Sequence, residues 1–395
     1  TPNVSFRSNG SRDRKDLSMR GISNQLNPYA NVRPATYSFY IDEFNVVAGT
    51  SNPQIVDLER IEVLRGPQGT YFGRNAVGGA ISYVTLTPGA APDAKLEVGY
   101  GNYDRKEIIG HVSGPISNNL RVGFYGTFSN RDSFIKFLPQ PRPASEPDDV
   151  QQWGARLKVV WEPSAFFKVT ATGELARSRS PEANAYRQVQ PDALGFVLSG
   201  QSGTIVPKYS ADNEFPSFSF FKGRNAVVKA EGDLGFADLT STTAYRYVFV
   251  RGSADQDATP APLFSFDQAL GGSKSFSQEL QLQSKSGSSI DWLAGVLYFR
   301  ERAGQYDFRA VSPLFAPFDT IQYQGRVLSN SYSAFGQIIV PIGPRLRLTA
   351  GGRYTHDEKS FTGVQNLIAA TAAVPVPIAP DQASWNNFSP KVTLD

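Results

Sequence analysis

The chain contains no cysteine, so neither disulfide staples nor thiolate metal sites can hold its fold. Histidine is almost absent too: His111 and His356 fall on different predicted strands, with no ligand spacing between them. Methionine occurs once against 35 glycines, 27 phenylalanines and 17 tyrosines, a balance that suits many strands joined by turns rather than a helical core. No run of 18 apolar residues occurs, which excludes a transmembrane helix but not a membrane barrel, whose strands alternate. An excess of one charge is missing as well. The net +3 is dispersed and offers no tail or patch for nucleic acid. Enzyme signatures are absent: there is no Gly-x-Ser-x-Gly elbow, no Gly-Lys-Ser/Thr phosphate loop and no His-Glu-x-x-His site. The acidic pairs Asp148-Asp149, Asp255 with Asp257, and Asp357-Glu358 lack calcium-loop spacing and read as solvated charge. The chain is therefore expected to be neither an enzyme nor a holder of a metal or cofactor.

What is present is organised around residues 58–85. Ile61 and Val63 alternate with Glu62 and Leu64, and Gly66-Pro67-Gln68-Gly69 then reverses the chain, because proline fixes φ and glycine accepts φ > 0. Gly78-Gly79 removes side chains where another backbone must come close, and Ile81 to Thr85 reads as a second strand. The run Ile61 to Gly69, followed by Gly73-Arg74-Asn75 and Gly78-Gly79-Ala80-Ile81, resembles the end of the plug domain of TonB-dependent outer-membrane receptors. Ser18-Met19-Arg20-Gly21-Ile22, the strand Tyr37 to Tyr40 and the turn at Tyr40-Ile41-Asp42-Glu43 agree with it in order.

Beyond Pro88 the pattern becomes one of period-two strands, each long enough to cross a hydrocarbon layer when tilted, which takes ~9 to 11 residues. Leu120, Val122, Phe124 and Phe128 oppose Arg121, Tyr125 and Thr127; Ala155, Leu157, Val159 and Trp161 oppose Arg156 and Lys158; Phe276, Leu280 and Leu282 oppose Ser277, Glu279 and Gln281. Such alternation alone also suits a soluble sandwich with one wet face. The connections separate the two. Short turns at 114–118, 162–164, 232–235, 286–288 and 341–344 alternate with long irregular segments at 130–150, 177–221, 252–272, 303–328 and 359–384. All the long ones then fall at one end of an up-and-down meander, as in outer-membrane barrels. Trp153, Trp161, Trp292 and Trp385 lie near predicted strand ends and suit an interfacial girdle.

The expected fold is an all-β membrane barrel, partial, preceded by a partial α+β plug. The plug occupies residues 1–88 and the barrel 89–395, with about twelve antiparallel strands from Ala94 onward. A barrel wide enough to hold a plug needs about 22, and the opening residues show no signal peptide. The chain therefore reads as a piece of a longer protein, one that should not close into a barrel alone, since an open edge leaves unpaired backbone groups in lipid.

The resemblance implies further expectations. It gives Arg20 and Arg65 the task of pairing with glutamates on the inner barrel wall, with Glu279 as the first of these, and it makes Gly21, Gly66, Pro67, Gly69, Gly73, Arg74, Asn75, Gly78 and Gly79 the plug motif. It implies active transport of a scarce ligand, by default a ferric siderophore, across the outer membrane of a Gram-negative bacterium. TonB with ExbB and ExbD would be partners, and the only iron involved would belong to the ligand. Ligand-contacting residues are not legible. The rival reading is a passive outer-membrane porin or surface-binding barrel, which explains the plug-like opening poorly; a soluble β-rich binding domain or hydrolase is a third.

Overall fold

The computed structural model describes residues 4–8, 15–19, 22–23, 37–42, 44–46, 57–65, 79–137, 149–181, 207–211, 217–256, 263–343 and 346–394. The first eighty-five residues contribute two small sheets. Strands β1 (Val4–Ser8), β2 (Lys15–Met19) and β3 (Ile22–Ser23) form an antiparallel meander. Strands β4 (Tyr37–Ile41), β5 (Phe44–Val46), β6 (Leu58–Arg65) and β7 (Gly79–Thr85) assemble in the order β5-β4-β7-β6, with β4 and β7 parallel and the other neighbours antiparallel. Among the described residues this region shows strands only. Tyr40, Ile41, Ala80 and Ile81 are buried in it, and Gly79 opens β7 at φ 142°, a conformation that a residue with a Cβ rarely adopts.

The remainder builds one twelve-stranded sheet. Its strands are β8 (Asp93–Gly101), β9 (Arg105–Ser117), β10 (Leu120–Asp132), β12 (Asp149–Ser164), β13 (Phe167–Ser180) and β15 (Phe218–Asp233). They continue with β16 (Ala237–Asp255), β17 (Ser265–Ser284), β18 (Asp291–Val311), β19 (Thr320–Pro341), β20 (Arg347–Ala369) and β21 (Ala372–Leu394). Each pairs antiparallel with the next, so β8 and β21 are the two edges. Two-residue pieces, β11 (Lys136–Phe137) and β14 (Ser210–Ala211), pair parallel to each other within the long connections. No described helix is long and apolar enough to cross a membrane.

The two faces of this sheet invert the rule of soluble proteins. On one face Gln152, Arg156, Lys158, Thr172, Arg246, Ser331 and Arg353 are buried; on the other Leu157, Trp161, Leu175, Leu280, Val296 and Phe388 are exposed. A sheet that shows leucine outward and hides arginine inward fits an apolar surrounding and a polar interior. Close packing inside uses glycine where rings need room: Phe335 lies against Gly295, its register partner, so that a Cβ there would meet the ring at 2.5 Å.

Two sequence expectations need correction. The short turns sit two or three residues later than 114–118 and 162–164, since β9 and β12 run on to Ser117 and Ser164. More substantially, most of 303–328 and 359–384 is strand rather than irregular loop: β18 reaches Val311, β19 starts at Thr320, and only two residues separate β20 from β21. The residues there do not alternate polar with apolar, as in Val374-Pro375-Val376-Pro377-Ile378, so the backbone ladder continues without the pattern that would have revealed it. Of the tryptophans, Trp153, Trp161 and Trp292 share the outward face, whereas Trp385 pairs in register with Asp357 and lies over Lys359, on the other face.

Candidate functional site

The first region meets the inner face of the large sheet through two charged clamps. One is centred on Asp42. Parallel pairing sets Ile41 beside Tyr83, so the chain leaving β4 and the end of β7 emerge on the same side. Asp42 turns there at φ 46° and donates its backbone N–H to the Tyr83 carbonyl at 3.0 Å. Its carboxylate accepts the Thr85 backbone N–H at 2.8 Å and the Thr85 hydroxyl. Alternation along β12 points Lys158 into this corner. Its Nζ lies 3.0 Å from the Asp42 carboxylate and donates to Thr85 Oγ1 at 2.8 Å and to the Thr85 carbonyl at 3.1 Å. The ammonium thereby fills three donor directions in a place where its side chain is only 4% exposed.

The second clamp is His111 on β9. Its Nδ1 is 3.0 Å from the Asp57 carboxylate and its Nε2 2.7 Å from that of Asp93, with the ring buried beside Tyr125. Asp57 sits at φ 50°, and its carbonyl accepts the Leu86 N–H. One imidazole thus ties the entry to β6, the start of β8 and the wall together. His356 lies elsewhere, on the outward face of β20, where it contacts Asn386 and Glu358.

Around Lys158 the wall is a polar lattice in which the charged groups are paired. Arg156 donates to Glu174 at 2.7 Å, and Glu174 also accepts from Asn225 at 3.0 Å, with Arg156 buried. Buried charge of this kind is tolerated because each group is paired, and removing one partner leaves the other stranded. At the long-loop end, a cavity of about 740 Å³ is lined by Tyr103, Phe134, Lys136, Lys208 and Tyr209, among others. Among the described residues no cluster of side chains suits a metal ion.

Of the residues singled out from sequence, Glu279 lies on the inner face of β17, in register with Thr242 and Leu297 and half-buried, while its neighbour Leu280 is exposed outward. Arg65 ends β6, opposite Gly79, and its side chain lies outside the described residues. Arg20, Gly21, Gly66, Pro67, Gly69, Gly73, Arg74, Asn75 and Gly78 also lie outside them. The Lys158–Asp42–Thr85 and His111–Asp57 contacts were missed by sequence reasoning. Period-two alternation puts Lys158 on the polar face, but nothing local reports which residue it will meet.

With this geometry in hand, comparison with known proteins is specific. Residues 1–80 match the TonB-dependent Receptor Plug Domain family, and residues 167–395 match the family of TonB dependent receptor-like β-barrels. The pesticin receptor of Yersinia pestis is 31% identical over 122 residues, which are 31% of this chain and 18% of that protein. The vitamin B12 transporter of Vibrio vulnificus is 29% identical over 77 residues, 20% of this chain and 13% of that one. The crystal structure of the ferric yersiniabactin uptake receptor of Yersinia pestis superposes with a TM-score of 0.78 at 16% identity, a likeness of fold. All of this chain is covered by it, and 57% of that one, so the chain spans little more than half the length of that receptor. With a plug match at its start and a barrel match over more than half its length, the chain belongs to the TonB-dependent receptor family.

Proposed function

We propose that this chain is the plug-bearing part of an active transporter of the Gram-negative outer membrane, with residues 1–88 as plug and 89–395 as the first strands of the barrel. The observation that carries this reading is the inverted sheet together with its clamps: an outward apolar face for lipid, and an inward polar face holding the plug by Lys158 and His111. A passive porin needs no such held domain. Buried but fully paired charges fix the plug in one position and can be exchanged for water when it is pulled. Arg20 and Arg65 would add pairs to Glu279 on the same wall, each worth ~0 to 1 kcal/mol net in a hydrated lumen.

Capture at the outer loops would be followed by plug displacement through TonB, with ExbB and ExbD relaying the protonmotive force, because the outer membrane holds neither ATP nor a usable ion gradient. A ferric siderophore is the ligand we favour, in keeping with the iron-uptake receptor whose fold it shares. The test is uptake of radiolabelled iron by cells carrying the full-length receptor, supplied with a panel of ferric chelates. Chelate-dependent uptake that disappears in a strain lacking TonB is expected. Uptake indifferent to TonB would make the protein a porin, and fractionation away from the outer membrane would remove both readings.

A further inference from the structure

Of the two clamps, the one at His111 carries chemistry that holding alone does not need. A neutral imidazole has one N–H and one lone pair, yet both ring nitrogens here face a carboxylate, Nδ1 that of Asp57 at 3.0 Å and Nε2 that of Asp93 at 2.7 Å. Ionised carboxylates only accept, so both contacts are hydrogen bonds only when the ring carries two protons. Removing one sets a lone pair against an oxygen. Whichever nitrogen keeps its proton, the Asp57 carboxylate loses its counter-charge, in a place where its side chain is only 10% exposed. A buried carboxylate stripped of its partner is costly to keep there.

Nothing else around the ring takes over that pairing. His111 is the one ion-pair partner of Asp57 among the described residues, and the cations near them are each held by an acid of their own. On β8, Lys95 stands opposite His111 in register and is paired with Glu97 at 2.8 Å. On β10, Tyr125 lies with its ring centre 5.6 Å from the imidazole, and beyond it, on β12, Arg156 is bonded to Glu174. On β9 itself Arg105 is paired with Glu107. The connection over residues 86–92, between β7 and β8, carries no charge.

The buried ring is also joined to water. Its own side chain is 5% exposed, but that of Asp93 is 67% exposed, at the start of β8 and on the short-turn side, six residues of β9 separating His111 from Ser117. A proton can therefore reach Nε2 by way of the Asp93 carboxylate while the plug stays in place. In an outer-membrane barrel the short turns face the periplasm.

We propose that His111 is a proton-operated latch between plug and wall: doubly protonated, it ties the entry to β6 and the start of β8 to β9, and on losing a proton it leaves Asp57 unbalanced and the plug easier to displace. The inference deepens the reading of residues 1–88 as a held plug and rests on it. The latched state needs the proton, so the hold is full at low pH and weakens as pH rises. Histidine is the side chain whose ordinary value, about 6.5, puts such a change near neutrality.

The test uses the full-length receptor in planar bilayers, with urea loosening the plug and its displacement read as conductance. The ratio of open to closed channels is measured at one urea concentration below the midpoint, at about pH 5.5, 7 and 8.5. In the parent this ratio is expected to rise about tenfold across the range, since one proton allows at most about tenfold per pH unit. His111→Gln cannot carry the charge; it should open more readily than the parent at the lowest pH and change less than about twofold with pH. Asp57→Asn separates a latch from a merely structural histidine, because its amide can accept from the charged ring or donate to the neutral one. It should keep the plug held and flatten the pH dependence. A parent whose ratio is the same at the two extremes overturns the latch, as does parent-like pH dependence in either variant. Should His111→Gln not fold, Asp57→Asn decides. A parent that conducts without urea holds no plug and overturns the plug reading itself, which tells the two failures apart.

Discussion

The plug sheet and the wall sheet are made from the same kinds of residue under opposite rules. In the plug, Ile41 and Ile81 are buried as in any soluble domain; in the wall, Val296 and Leu157 are exposed while Arg156 and Lys158 are hidden. The contrast shows that the solvent on each side, rather than the strand itself, decides which face is apolar. One sheet folds against its own core; the other turns its apolar face outward and its polar face toward the plug. The two rules meet at Lys158, where a wall residue satisfies a plug residue.

The largest effect should come from that meeting point. Lys158→Ala leaves the Asp42 carboxylate buried without its cation, and loss of one member of a buried pair costs about 3 to 5 kcal/mol. In the full-length receptor we expect a displaced plug, seen as greater sensitivity to large antibiotics and faster proteolysis between β5 and β6. Asp42→Asn combined with Lys158→Met should restore much of the barrier, because both charges then leave together. If Lys158→Ala changes neither readout, the clamp does not hold the plug.

Two substitutions sharpen the contrast between the sheets. Ile81→Ala in the plug removes a side chain that is 2% exposed and should cost about 2 to 5 kcal/mol of plug stability, read as earlier plug proteolysis with the barrel intact. Val296→Arg puts a charge on the outward face near mid-height and should cost about 2 to 4 kcal/mol of barrel stability in lipid, read from the urea midpoint of folding into vesicles. In a soluble sandwich an exposed valine would accept arginine at almost no cost, so a neutral result would remove the membrane reading. Next door to another outward residue, Glu279→Lys should leave barrel stability unchanged and loosen the plug mildly; unaltered antibiotic permeability would count against its pairing with Arg20 or Arg65.

Much of this comparison was legible in the sequence, and the reason is periodicity. Alternation at Leu157/Lys158 and Glu279/Leu280 gave the faces, and the placing of short turns gave an up-and-down meander of about the right number of strands. What stayed hidden is non-local. The parallel pairing that brings Asp42 to Thr85 crosses 43 residues of chain, and the reach of Lys158 to Thr85 crosses 73; neither leaves a local signature. The outer hairpins were hidden for the converse reason, since β20 and β21 keep their ladder for 23 residues each while their upper parts, such as Val374-Pro375-Val376-Pro377-Ile378, do not alternate.

The smallest expected effect lies at the short-turn end, and it measures how far the buried clamp owes its strength to burial. Lys285, in the turn between β17 and β18, places its Nζ 2.5 Å from Asp233 and also bonds Asp238. These bonds hold its ammonium above the usual lysine value, while the same lysine and the Gly235 N–H hold the Asp233 carboxyl below the usual aspartate range. The signs are opposite. The lowered carboxyl adds stability that is present above its unfolded value of 3.8 and fades as pH falls through the folded one. The raised ammonium adds stability that is present below 10.5 and fades as pH rises through its folded value. Between pH 5 and 9 both contributions should be constant, and small, because the pair is solvated and screened. Lys285→Ala should therefore shift the urea midpoint slightly at pH 7, less at pH 3 and less again in high salt, whereas Lys158→Ala should lower plug stability strongly at both salt concentrations. A Lys285 shift as large and as salt-resistant as that of Lys158 would mean that depth in the lumen is not what sets the two apart.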